Sequence, residues 1–334
     1  MIATTDAMKK QYDVCGIGSP LLDFIVEVDE GLLAEIDMKK GRMHLIDEGQ
    51  SKRILGMIER FRVKTAPGGS SANTLAGVSA LGGSAVFLGK IGDDYHGTVY
   101  EQSTVDSGVS SRLARHKSGT TGHAITFITP DSERTFATHL GAALHFRTED
   151  VLDDDIRQSR ILHIEGYQLE DPELKQTCIH AIQVTRASGG KVSIDLADPA
   201  LIGRNLEPIR DLVREYADII FVNELEARAF TGTDDEEQAL SQIYDVCEVA
   251  VVKLGDRGSL IKAEGKVIRV PIYPVQVVNS NGAGDAYAAG ILFSITHGID
   301  YERAGKIAAY VAAQVVGSVG ARPDRSLIDE IRNL

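Results

Sequence analysis

The 334-residue chain is 43% hydrophobic and 25% charged, ordinary globular material long enough to bury a large core. Its 35 basic and 48 acidic residues leave a net charge of -13, which repels phosphate backbones and anionic membrane surfaces and argues against nucleic-acid or membrane partners. No apolar run approaches about eighteen residues, and the opening MIATTDAMKKQ lacks the apolar core of a secretory signal, so a soluble cytoplasmic protein is expected. Cys15, Cys178 and Cys247 are odd in number, widely spaced and set among apolar neighbours, which suits free thiols in a reducing compartment. The histidines form no HExxH or clustered pattern, so a structural zinc site has little support.

In chain order, DVCGIG, FIVEVD and GRMHLI read as strands bounded by glycine or acidic turns. The period then changes. SSANTLAGVSAL, from Ser70 to Leu81, opens on hydroxyl residues able to cap a helix and carries small apolar residues at helical spacing; AVFLGKIG follows as a strand. Between Ser111 and Leu140, SRLARHK, GHAITFIT and RTFATHL read as short strands separated by turns such as TPDSE, a hairpin-rich insertion. Alternation resumes with ILHIEG, a helix near Pro172 to Ala187, VSIDL, a helix around Leu206 to Tyr216, DIIFV, two helical stretches and VAVVKLG. Such alternation predicts right-handed crossovers on a mostly parallel sheet, with SLIKAEGKVIRVPIY as antiparallel edge material. Without repeats or long linkers, the chain reads as a single domain over 1–334, a three-layer α/β/α unit with a small discontinuous β lid from about 24–48 and 111–140.

VVNSNGAGDAYAAGIL, Val277 to Leu292, combines a β-branched run, a glycine turn containing an acid, and a small-residue helix. Strand, turn and helix in that order aim unpaired N–H groups at one point, where the helix dipole adds positive potential. That is a site for an anion. It lacks the Lys of GxxxxGK[ST], and Tyr287 stands where a dinucleotide fingerprint wants a small residue; GIGSPLL near the start fails the same test. Nicotinamide-dinucleotide chemistry is therefore set aside. Asp285 repels the phosphate that the turn attracts, which leaves two readings. Either it takes a proton from a nucleophile attacking that phosphate, or it is a first-turn acid complementing the helix dipole.

Further segments bear on the choice. GGSSAN, Gly68 to Asn73, is a second glycine turn opening a helix, and GSPLLD puts Asp23 just past the first strand. Together with the 279–292 segment they resemble the PfkB, or ribokinase-like, family of small-molecule kinases. GGSSANTLAGVSALGGSAVFLGKIGDDYHG looks like the family's first signature and 279–292 like its second, far apart and in the right order. The resemblance implies an ATP- and Mg2+-dependent phosphotransferase on a ribokinase-like fold. Asp285 would be the base that activates the acceptor hydroxyl, and the backbone of Gly282, Ala283 and Gly284 would stabilise the transferring phosphoryl group. Asp23 would accept hydrogen bonds from acceptor hydroxyls, since one carboxylate can take two vicinal donors. Gly68 and Gly69 would let the backbone approach the acceptor, and Asn73 would add a side-chain contact. NELEA matches the family's Asn-x-x-Glu element, so Asn223 and Glu226 would organise the magnesium through its waters; alone, the tetrapeptide is equally a helix cap. KLGDRGS would bring Gly255 and Gly258 to ATP, although such a loop is more often a hairpin turn. Arg134 in SERTF would reach the phosphates on lid closure, against a plain strand-edge reading. The family's turn usually opens Asp-Thr, whereas this one opens Asn279-Ser280, which puts a monovalent-cation requirement in doubt.

For the acceptor, GSPLLDF resembles the Pro-Leu-Leu-Asp element of adenosine kinases, and Asn281 is similar to their version of the turn. Tyr167 in EGYQL falls where those enzymes place an aromatic against the acceptor base, a role that suits an exposed ring; a buried Tyr anchoring the lid is the competing reading. ERTFATHLGAA and GGSSAN also fit sugar kinases acting on ribose, fructose or 2-keto-3-deoxygluconate, and Ser19 replaces the Asn common in adenosine kinases. Adenosine is the first expectation, a free sugar the second. A non-catalytic relative comes last because Asp285 and Glu226 are both present. The chain is expected as a monomer or as a homodimer through the lid.

Overall fold

IIFV within DIIFV and VAVV within VAVVK are apolar at every position, which marks strands covered on both faces. The computed structural model describes residues 10–131 and 133–334; residues 1–9, on which the signal-peptide reading rests, and Ser132 of the TPDSE turn lie outside it. The strands are β1 Tyr12–Ile17, β2 Leu21–Glu27, β3 Met43–Leu45, β4 Lys64–Pro67, β5 Ala85–Gly92, β6 Ser110–His116 and β7 Gly122–Ile128. They continue with β8 Arg134–His139, β9 Ser159–Glu165, β10 Lys191–Asp195, β11 Ile219–Asn223, β12 Val249–Lys253, β13 Ser259–Ala263 and β14 Lys266–Val270. A nine-stranded sheet has the order β14-β13-β12-β11-β10-β9-β1-β5-β6. From β12 to β6 all neighbours are parallel, and β13 and β14 extend it antiparallel, as expected.

Alternate residues of each strand feed two cores. Ile219 and Phe221 pack with residues of the Ser70–Ala80 and Ala283–Thr296 helices. Ile220 and Val222 pack on the opposite face with the Pro172–Ala187, Leu206–Tyr216 and Glu236–Tyr244 helices. Helices on both faces of the sheet give the three layers. The small residues of the two glycine-rich helices allow close crossings: a Cβ on Gly77 would lie 2.5 Å from that of Ala289, and one on Gly290 would lie 2.5 Å from Ala308 Cα. No described helix is long and apolar enough to cross a membrane.

A second, five-stranded sheet, order β3-β8-β7-β2-β4, stands where the lid is expected. Its composition differs from the expected pieces. Most of SRLARHK lies in β6, whose seven residues Ser110–His116 pair in parallel with β5 and become the edge of the large sheet, where its partly exposed basic residues protect an open edge. KTAP, which carried no strand expectation, joins the lid antiparallel to β2, with Pro67 closing it at an edge. Two helices, Glu30–Glu35 and Glu48–Ile58, lie among the early strands; the second opens on an Asp47–Gln50 capping box, a local signal present in the sequence. The β-branched run before the NSNGAGD turn is not a strand. Residues 271–278 have no regular secondary structure and are exposed; Pro271 and Pro274 among them lack donors for a ladder. Only at its end do Val278 and Asn279 N–H both bond to Val316 O.

Candidate active site

Four neighbouring parallel strands end in charged or amide side chains: Glu165 on β9, Asp195 on β10, Asn223 on β11 and Lys253 on β12. The crevice beyond the carboxyl ends of parallel strands is where such sheets bind ligands. Two helix starts face it, at Gly69 and at Gly282. Between these groups and the lid lies a cavity of roughly 410 Å3.

Asp285, in the first turn of its helix, is held from across the cavity. Ser70 Oγ donates to its Oδ1 at 2.7 Å, and Asn73 Nδ2 donates to its Oδ2 at 2.9 Å. The expected capping role of the hydroxyls at 70–71 is therefore not taken up. Gly69 caps that helix without a side-chain bond, and the Ser70 hydroxyl is spent on the acid. Burial pushes the Asp285 carboxyl above its ordinary range, while the Asn73 and Ser70 bonds oppose the rise. Gly282 has φ +78°, and a Cβ there would sit 2.4 Å from Ala321 O, so only glycine makes this turn. The first N–H groups of the helix have no intrahelical acceptor, although Ala283 N–H reaches Ser280 O at 3.3 Å.

Asp23 lies inside lid strand β2 rather than in a turn after β1. Burial raises its carboxyl to about 7, against the lowering charges of Arg322 and Arg134. A Cβ on Gly68 would come within 2.7 Å of this carboxylate, and one on Gly69, at φ +88°, within 2.4 Å of Ser19 O. The GG turn thus makes room for Asp23. The wall nearby is apolar: Met43, Leu45, Phe136 and Tyr167 line it, with Tyr167 36% and Leu45 55% exposed. The Tyr167 hydroxyl makes only a 3.5 Å contact to Ala197 O. Glu165, 2% exposed, accepts from Ser71 N–H at the helix start, and burial pushes it up to about 8.

On the far side, Asn223 and Glu226 form a capping box. Asn223 Oδ1 accepts from Glu226 N at 2.9 Å, while Glu226 Oε2 accepts from Asn223 N at 2.7 Å and Oε1 from Asn223 Nδ2 at 2.5 Å. The helix-cap reading holds geometrically, and it fixes Glu226 beside the cavity with lone pairs to spare. Burial, with Asp195, raises Glu226 to about 7, and Lys253 opposes this. Lys253 Nζ donates to Asp195 Oδ2 at 2.8 Å and would lie 3.1 Å from a Cβ on Gly284. Burial disfavours its charge, but Asp195 and Glu226 outweigh that and keep the ammonium protonated.

Of the residues singled out from the sequence, Gly68 and Ala283 adjoin lining residues without themselves lining the cavity, and three others sit elsewhere. Gly255 and Gly258 make the turn between β12 and β13, with φ +60° and +85°, outside the cavity lining. Arg134 donates from Nη1 to Asn279 Oδ1 and lines a neighbouring cavity with Arg62 and Lys64. The structure brings together Asp23, Gly69, Asn73, Tyr167, Asn223, Glu226, Gly282, Gly284 and Asp285 on one lining. Asn73 is occupied by Asp285 and Arg322 rather than turned to the cavity as a free contact. Sequence reasoning missed Ser70, Glu165, Asp195, Lys253 and Arg322. For Glu165, Asp195 and Lys253 a signal exists, a charge closing an apolar strand run.

An acid in the first turn of a glycine-led helix, faced by a second carboxylate across a cavity of small-molecule size, is an arrangement suited to a kinase acting on hydroxyl groups. Comparison with known proteins agrees. The chain belongs to the pfkB family carbohydrate kinases, whose model matches residues 51–327, and it is a phosphotransferase of the nucleoside and sugar kinase class. It is 34% identical to the adenosine kinase of Sinorhizobium meliloti, whose crystal structure aligns with a TM-score of 0.90 over 97% of this chain and 99% of that one. A probable sugar kinase from Rhizobium etli is 30% identical, with a TM-score of 0.90 over 97% and 98%. Adenosine kinase 1 of Arabidopsis thaliana is 25% identical over 91% of this chain and 94% of its own.

Proposed function

We propose that the protein transfers the γ-phosphoryl group of ATP to the primary hydroxyl of a nucleoside, adenosine first among them. The observation that carries this reading is the partly exposed apolar wall of Tyr167, Met43, Leu45 and Phe136 beside the Asp23 carboxylate. A flat base suits the wall, and the ribose diol suits the carboxylate. Relatives named as adenosine kinases support the same choice. A free sugar is the second reading, favoured by Ser19, whose hydroxyl is occupied by Gln168 Nε2 at 2.9 Å.

Asp285, oriented by Ser70 and Asn73, takes the proton of the attacking hydroxyl. The Gly282, Ala283 and Gly284 backbone, with the helix dipole, stabilises charge on the transferring group, and Lys253 beside Gly284 adds a cation there. Oxygen donors at Asn223 and Glu226 fit a hard cation held through water, and Mg2+ bound there would neutralise polyphosphate charge. Gly255 and Gly258 remain candidates for the outer part of the nucleotide. A monovalent cation is not required in this reading. Asn279 is neutral, its Oδ1 accepts from Arg134 and from Asn281 N at 2.8 Å, and its Nδ2 donates to Val319 O at 2.7 Å. ATP as co-substrate and the free thiols support a cytoplasmic site of action.

The test is the initial rate of ADP release from Mg-ATP with adenosine, ribose, fructose or 2-keto-3-deoxygluconate at equal concentrations. Adenosine is expected to be preferred by about a hundredfold, on the order of one lost buried contact set. Preference for a free sugar would overturn the nucleoside assignment. Asp285→Asn is expected to lower kcat by roughly 10²- to 10⁴-fold with little change in acceptor KM; a mild effect would remove Asp285 from the role of base.

A further inference from the structure

Arg322 lies beyond the last long helix, in a stretch without regular structure, and is 8% exposed. Its guanidinium is shared among groups distant in sequence. Nε–H donates to Asn73 Oδ1 at 2.9 Å, and Nη2–H donates to Gly68 O at 2.9 Å and to Tyr100 Oη at 3.3 Å. Tyr100 in turn donates to Gly68 O at 2.9 Å. Among the described residues no carboxylate forms an ion pair with Arg322, and its Nη1 has no hydrogen-bond partner. A buried cation without a counter-ion is costly, so packing alone does not account for it.

Two geometric consequences follow. An arginine only donates, so its bond to Asn73 Oδ1 fixes which way that amide faces. The Nδ2 end must then point at Asp285, as it does at 2.9 Å; the reverse orientation would set an oxygen against the carboxylate and an NH2 against the guanidinium. Through Gly68 O, the same guanidinium pins the turn whose missing Cβ leaves space for Asp23.

We propose that Arg322 is a positioning residue for phosphoryl transfer that sets both carboxylates of the site: Asp285 through the Asn73 amide, and Asp23 through its unpaired charge across Gly68. The inference rests on the roles given above to Asp285 and Asp23. The charged and titratable groups around Asp23 are Arg322 beyond the GG turn, Arg134 on β8, Asp285 across the cavity and Tyr100 on the neighbouring helix. Of these, Arg322 is the leading charge opposing the rise that burial imposes on Asp23.

Two arms test this. The first measures kcat for Arg322→Lys, Asn73→Ala and the double variant, with whichever of the four acceptors wild type turns over fastest. Lysine keeps the charge and loses the fork, so kcat should fall by roughly 10- to 100-fold, and adding it to Asn73→Ala should cost nothing further. Losses that multiply would overturn the link through Asn73. The second arm needs no acceptor: the Asp23 carboxyl is titrated by carbon-13 NMR, its signal assigned by its absence in Asp23→Asn. Arg322→Gln should move the midpoint upward and Arg322→Lys should leave it at the wild-type value. An unmoved midpoint in Arg322→Gln would overturn the electrostatic half, whatever the acceptor proves to be.

Discussion

At the scale of single residues, the site depends on charges that close apolar strands. Glu165 is the clearest case, because its carboxyl is buried with one backbone donor and raised to about 8 from an ordinary 4.5. Across that window the folded protein holds a proton that the unfolded chain has released, so Glu165 lowers stability progressively as pH rises from about 4.5 towards 8. Glu165→Gln keeps the acceptor for Ser71 N–H and cannot ionise. Its melting temperature relative to wild type is expected to be higher at pH 8 than at pH 5, and an equal difference at both would show that Glu165 is already ionised in the folded state. Legibility differs among these residues for a physical reason. Asp285 and Asp23 announce themselves because an acid in a glycine turn or an apolar stretch is locally anomalous. Arg322 announces nothing, since its partner Asn73 lies 249 positions away and an arginine near a proline is unremarkable.

Between elements, the glycines of the two signature helices matter as much for packing as for the site. Gly290 meets the backbone of Ala308, at 2.5 Å from Cα and 2.8 Å from N for an added Cβ, whereas exposed Gly56 in the Glu48–Ile58 helix meets nothing within 4 Å. Gly290→Ala should therefore destabilise by about 1–3 kcal/mol through overpacking. Gly56→Ala should stabilise by about 0.5–1 kcal/mol through backbone entropy. Urea midpoints check both, and a shared sign would sink the packing argument. Periodicity located the helices near 172–187 and around 206–216 because their apolar stripes are local. It misjudged Val277 and Val278, whose β-branched side chains promise a strand while no neighbouring strand supplies a ladder, and it placed SRLARHK in the lid rather than at the edge of the large sheet, because a partner strand is a property of the whole fold.

At the scale of the molecule, one lid sheet covers one crevice, and Arg134 on β8 joins the lid to Asn279 at the head of the anion turn. Closing a lid over reactants excludes water from the phosphoryl group. Binding of the acceptor together with a non-hydrolysable ATP analogue is expected to slow amide hydrogen exchange in β2, β7 and β8, and to leave the buried central strands β9 to β11 unchanged, since core strands of this kind exchange slowest in either state. Equal slowing in both sheets would argue against a moving lid. The placement of Ala321 and Arg322 has a further consequence, for the chain as it is being made. Ala321 packs against Gly282, and Arg322 ties the GG turn to Asn73, yet every sheet strand precedes them. A polypeptide emerging from the ribosome can pair its whole large sheet and still lack the wall that packs against Gly282 and the cation that ties the GG turn to Asn73.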